Sequence, residues 1–198
     1  MPTRSGSISP NGGSQSDPFR EPSGGTKSRW YFAYGSNMNP ARVRERGLEY
    51  SYVLPAALDD HTLLFNKLAN SASPERVNSP ERAGHANIEP ASGQIVEGVA
   101  YQLADDDHIA RMDPFERVPV NYRRELVLLR TAHGPITAWT YFANPAVIAP
   151  NLLPKPAYLA HLLVGLPFVS APYAKRLQQQ ATWTEKPLNS SASPRNAR

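Results

Sequence analysis

Two short segments of this 198-residue chain carry residue types and spacings suited to chemistry. The first is Tyr34-Gly35-Ser36-Asn37-Met38, where an aromatic run gives way to a Gly-Ser-Asn turn. A turn of this kind ahead of a helix gathers several backbone N–H groups in one concave spot, and such a spot binds a carboxylate or an oxyanion. The same turn is also common as plain structure, and the Ser36 hydroxyl fits a cap as readily as a nucleophile. The second segment runs from Met112 to Arg123 and holds Glu116 between Phe115 and Val118. A carboxylate among apolar neighbours is held protonated to higher pH by desolvation, which suits a general base. The bland alternative is a surface glutamate paired with Arg117 or Arg123.

Other chemistries lack their residues. The chain has no cysteine, which removes thiolate metal sites, iron–sulfur clusters and a cysteine nucleophile. Its five histidines, at 61, 85, 108, 133 and 161, have no recognised metal-ligand spacing, so no metal or other cofactor is expected. There is no P-loop, no G-x-G-x-x-G after a strand and no G-x-S-x-G. The net charge of +4 lies in the ends, because residues 30–183 carry 14 basic and 14 acidic side chains. No nucleic-acid partner is therefore expected of the central part. No window approaches the roughly 20 apolar residues of a membrane span, so no membrane partner is expected either.

Particular elements must position the two segments. Residues 1–28 and 184–198 are rich in Ser, Gly, Pro and Asn and read as disordered tails flanking one domain, 29–183. The first tail has no apolar stretch for a secretory signal. It is Ser-rich with few acids, as a mitochondrial presequence is, but its Gly and Pro oppose an amphipathic helix; a cytoplasmic protein is expected. Trp30–Tyr34 reads as a strand, and Asn39-Pro40 as the cap and first residue of a short helix closed by Gly47. Leu58–Phe65, Ala86–Ile88, Val96–Leu103, Arg124–Arg130 and Ile136–Phe142 read as further strands, with a long loop over 67–84. Asp105-Asp106 can cap a short helix ending near Met112, and 156–182 reads as two short helices hinged at Pro167. Six strands and about four short helices imply an α+β fold or a small barrel with appended helices.

Together, the two segments resemble the gamma-glutamylcyclotransferase-like family. Tyr31-Phe32-Ala33-Tyr34-Gly35-Ser36-Asn37-Met38 is similar to the signature that opens the family, and Asp113, Glu116, Pro119, Tyr122 and Arg124 to its second block. Looser matches follow in the expected order: Gly84–Ile88, Gly98–Tyr101, Tyr141, Tyr158-Leu159, Gly165–Pro167 and Tyr173. The resemblance covers roughly residues 30–178. It departs at Arg117, where the family usually has glycine; a cation there would narrow the pocket, change the substrate or pair with Glu116.

The resemblance implies a small mixed β-barrel with peripheral short helices. It implies intramolecular cleavage of a gamma-glutamyl amide to 5-oxoproline and a free amine, with no cofactor. Glu116 would be the general base and acid. Tyr34, Gly35, Ser36, Asn37, Met38, Tyr122, Tyr141 and Tyr158 would contact a small gamma-glutamyl substrate such as glutathione, though the three later tyrosines suit barrel packing equally well. A ligand-binding relative without activity, or an amide-cleaving enzyme with another substrate, would share the same fold.

Overall fold

The computed structural model describes residues 28–69 and 83–183. The aromatic run forms β1 (Trp30–Ala33), buried at all four positions and so covered on both faces of the sheet. It pairs antiparallel with β3 (Gly84–Leu103) and parallel with β5 (Gly134–Ala143). With β2 (Tyr50–Leu68) and β4 (Tyr122–Thr131), these strands close a five-stranded barrel in the order β1-β3-β2-β4-β5. Among the described residues four short helices lie around it: α1 (Pro40–Glu45), α2 (Asp113–Glu116), α3 (Pro156–Val164) and α4 (Ala171–Gln178). The fold is α+β, a small mixed barrel with peripheral helices, as the sequence implied.

Among the described residues five strands stand where six were expected. Ala86–Ile88 and Val96–Leu103 belong to one long strand, and Leu58–Phe65 extends to Tyr50–Leu68. The polar stretch between the two expected strands does not end pairing; it is taken up by an irregularity opposite Asp59–His61. There Asp60 and Gly93 both have positive φ, 55° and 74°, and the Gly93 N–H donates to Asp60 Oδ1 at 2.8 Å. Such a bulge bends a strand pair without terminating it, so the long β2–β3 ribbon can curve round the barrel. Lys67, Leu68 and Gly84, expected in a loop, are strand residues, and 70–82 lie outside the described residues.

The tail readings 1–27 and 184–198 also lie outside the described residues. Ser28 is a correction at the boundary. Composition placed it in a tail, yet it is buried, its Oγ donates to the Thr137 carbonyl at 2.5 Å and accepts from the Trp30 N–H at 3.0 Å. The expected helix cap at Asn39 forms, its side chain accepting from the Ala41 N–H at 3.0 Å. The helix expected after Asp105-Asp106 is a single 3-10 turn, His108–Arg111. No described helix is long and apolar enough to cross a membrane.

Phe32, Val96, Val99, Ala100, Tyr101, Leu129, Ile136 and Ala138 form the centre of the core. Gly98 marks its tightest strand crossing: a Cβ there would stand 2.4 Å from the Ala33 carbonyl oxygen and 2.9 Å from the Phe32 ring. The first obstacle is backbone and cannot swing aside. Gly98→Ala is therefore expected to cost about 3 kcal/mol, the upper part of the usual overpacking range. A urea melt checks this, and an unchanged midpoint would contradict the packing described.

Candidate active site

β1 delivers Tyr34 and Gly35 to one end of the barrel, where the chain enters a 3-10 turn, Ser36–Met38, closed by Met38 N–H to Gly35 O at 2.9 Å. Gly35 has φ −115°, open to any residue, so space rather than conformation requires glycine here. A Cβ would lie 3.1 Å from both Ala86 Cβ and the Tyr158 hydroxyl. The turn does not simply leave its N–H groups open to an anion. The Tyr158 oxygen accepts from Ala86 N–H at 3.0 Å and sits against the turn, 3.1 Å from where a Gly35 Cβ would stand. Burial pushes the Tyr158 phenol up to about 12, with the Ala86 bond acting in the opposite direction. At neutral pH the Tyr158–Ser36 hydroxyl pair therefore faces the recess with a proton to donate.

Glu116 arrives from the opposite side at the end of α2. This four-residue helix is braced through Asp113, whose Oδ1 accepts from the Tyr141 hydroxyl at 2.8 Å and whose Oδ2 accepts from Arg124 Nη1 at 2.9 Å. The helix stops at Arg117, which is left-handed at φ 53°. That explains the glycine the resemblance leads one to expect: glycine takes positive φ without a Cβ clash, and arginine holds the same turn at some conformational cost. The side chain of Arg117 is exposed, and it is not the partner of Glu116.

The partner is Arg46, the residue that caps the C-terminal end of α1, with Nη1 2.8 Å from Glu116 Oε1. Asn37 Nδ2 donates to the same oxygen at 3.2 Å and to the Tyr31 hydroxyl at 2.7 Å. The expected apolar envelope of Glu116 is thus replaced by a guanidinium and an amide. Both hold Oε1, and neither contacts Oε2. Asn37 Oδ1 is buried and accepts no hydrogen bond among the described residues.

Two connected cavities meet at this carboxylate. An inner recess of about 30 Å³ is lined by Tyr31, Tyr34, Gly35, Ser36, Asn37, Tyr122, Tyr141, Tyr158 and Glu116. An outer basin of about 350 Å³ shares Ser36, Glu116, Tyr122 and Tyr158 with it and adds Arg42, Arg46, Lys67, His85, Phe115 and Arg117. Of the residues singled out in the sequence, all but Met38 line the recess. Met38 is fully buried and lies against Gly165, turned into the core by the 3-10 turn.

The tyrosines bind more backbone than open space: Tyr34 donates to the Tyr141 carbonyl, and Tyr122 to the Ala86 carbonyl at 2.9 Å. Tyr141 also reaches the Ile109 carbonyl, at 3.3 Å. Burial raises the pKa of Tyr31, Tyr34, Tyr122 and Tyr141 well above the usual phenol value, so each stays protonated. Burial, with Lys67, Arg42 and Arg46 adding to it, pulls His85 down to about 4.

Arg42, Arg46, Lys67 and His85 were not singled out in the sequence. Arg42 and Arg46 are spaced i, i+4 on a helix that was foreseen, so their common face was available. Lys67 gave no signal, because its burial depends on the β2 irregularity between Leu64 and Lys67. Among the described residues, no three His, Cys, Asp or Glu side chains cluster as metal ligands would.

Among the described residues, a closed small barrel holds one carboxylate at the mouth of a tyrosine-lined recess, the arrangement of a compact pocket protein. Residues 31–159 match the family described as gamma-glutamyl cyclotransferase, AIG2-like, and the chain belongs to that family. Comparison with curated protein sequences gives no match. Solved structures share the fold. A gamma-glutamyl cyclotransferase superposes with TM-score 0.65 at 24% identity, covering 81% of this chain and 93% of its own. The human protein loc79017 gives 0.63, also at 24% identity, with the same coverage of 81% and 93%. A yeast gamma-glutamyl cyclotransferase specific to glutathione gives 0.52 at 14% identity, covering 76% and 94%.

Proposed function

We propose that this protein is a cyclotransferase that cleaves a gamma-glutamyl amide, releasing 5-oxoproline and a free amine. The observation that carries the reading is the position of Glu116 at the junction of recess and basin, with Oε1 anchored by Arg46 and Asn37 and Oε2 outside both contacts.

The substrate's α-amine attacks its own γ-carbonyl carbon and closes a five-membered ring. Because nucleophile and electrophile are tethered, holding the chain folded supplies much of the rate. The amine must shed a proton as the C–N bond forms. Glu116 Oε2 accepts it and returns it to the departing nitrogen when the amide C–N bond breaks, one group acting as base and then acid. The buried phenols stay protonated and do not compete for this proton. The Tyr158–Ser36 hydroxyl pair is placed to donate to an anionic oxygen of the glutamyl group, its α-carboxylate or the oxyanion on the γ-carbon. Asn37 Oδ1, buried and open, suits an N–H of the attacking amine.

The test is 5-oxoproline release from a panel of gamma-glutamyl compounds: glutathione, gamma-glutamyl amino acids and gamma-glutamyl amines. Release from at least one at enzymatic rates is expected. A folded protein that binds such compounds without releasing 5-oxoproline would instead be the ligand-binding relative.

A further inference from the structure

The outer basin holds more positive charge than Glu116 can offset. Four cations line it, Arg42, Arg46, Lys67 and Arg117, and Glu116 is the only carboxylate among the described lining residues. Arg46 is already committed to Glu116. The other three make no ion pair among the described residues.

Two of them are held where an unpaired cation is costly. Lys67 is 3% exposed, with its ammonium 5.6 Å from the centre of the Tyr122 ring. Arg42 Nε is buried and makes no hydrogen bond among the described residues. Burying a charge without a partner is strongly unfavourable, so such groups normally find one. The local field is consistent: burial brings Lys67 down to about 8, with Glu116 opposing and Arg117 reinforcing, and burial followed by Arg46 lowers Arg42.

The recess and the Glu116 carboxylate take the glutamyl end of the substrate, so whatever leaves must lie in the basin. We infer that Lys67, Arg42 and Arg117 form an anion subsite for the leaving amine, and that the preferred leaving amine carries two negative charges, as an acidic amino acid or a phosphomonoester amine does. This deepens the cyclotransferase reading and rests on it. A single carboxylate would leave more than one of the three cations unmatched. Arg117 is well placed for selectivity, since it stands where a glycine would serve the turn equally well and would add no charge.

The test compares kcat/KM for four amides: gamma-glutamyl-ethylamide (neutral leaving amine), gamma-glutamyl-glycine (one charge), gamma-glutamyl-glutamate (two carboxylates) and gamma-glutamyl-phosphoethanolamine (a phosphate). The dianionic compounds are expected to exceed the neutral one by about ten- to a hundredfold, the factor one or two charge-assisted hydrogen bonds supply. The better of the two identifies the source of the charge. Lys67→Met and Arg117→Gly should each shrink that ratio through a higher KM for the dianion. Equal kcat/KM across the four amides, or a preference that survives both substitutions, overturns the subsite while leaving the cyclotransferase reading intact.

Calorimetric titration of the wild-type protein with glutamate and with phosphoethanolamine, at low salt, needs no turnover. Binding that Lys67→Met abolishes, with no 5-oxoproline from any compound, would support the anion site and sink the reaction instead.

Discussion

Glu116→Gln is expected to lower kcat by at least about a hundredfold, the lower end of what a positioned general base contributes. Glutamine keeps the length of the side chain and an oxygen for Arg46 Nη1 and Asn37 Nδ2, the two groups that hold Glu116 Oε1 now. The packing of α2 on the barrel runs through Asp113, Tyr141 and Arg124 and is untouched. What is lost is the oxygen that can take a proton, so kcat should fall with KM little altered. Arg117 has no part in this, because the ion pair is made by Arg46. The measurement is steady-state 5-oxoproline release by a folded Glu116→Gln protein on its best substrate. Activity above about a tenth of wild type, well outside the range for a lost base, would mean the proton goes elsewhere. Lys67, brought down to about 8 by burial, is then the next acceptor. A kcat collapse in Lys67→Met would identify it.

Gly35→Val should abolish most activity for a different reason. Its Cβ would start 3.1 Å from the Tyr158 hydroxyl and from Ala86 Cβ, closer than ordinary contact, and its methyl groups reach further. The phenol must move, and with it the bond from Ala86. A displacement on the scale of 1 Å in a positioning group can cost about a hundredfold in rate, and the strain should cost about 1–3 kcal/mol in stability. Gly35→Ala, with no γ-methyls, should fall between wild type and valine in kcat/KM. A folded Gly35→Val protein with wild-type kcat/KM would show that the turn and Tyr158 are scaffold alone.

Much of the site was legible because its motifs are local. Tyr34-Gly35-Ser36-Asn37 is a strand end and a turn, and Asn39-Pro40 caps the next helix by contacts two residues apart; short-range geometry of this kind is written in residue type. Glu116 and the mixed barrel were legible through the resemblance that the two blocks carry; the strand pattern alone left an α+β fold and a small barrel both open. The roles inside that block were less so. Asp113 works through Tyr141 and Arg124, from two different strands, and only the folded barrel brings them together.

The sequence by itself pointed to the residues proposed to carry the reaction and to the local turns that present them. Tertiary structure decided what each one faces. Arg46, not the adjacent Arg117, pairs with Glu116, because a left-handed residue ends α2 and leaves the Arg117 side chain exposed while α1 brings Arg46 across. The Tyr158 oxygen, 122 residues on from Ser36, sits against the turn that was expected to face an anion. Lys67 is buried beside Glu116 because a bulge in β2 shifts its register against β3. A one-residue slip moves side chains to the other face of a strand, and nothing in the local sequence around Lys67 specifies that slip. Electrostatics acts through space, so the charge of the basin emerges only when helix, strand and turn are folded around it.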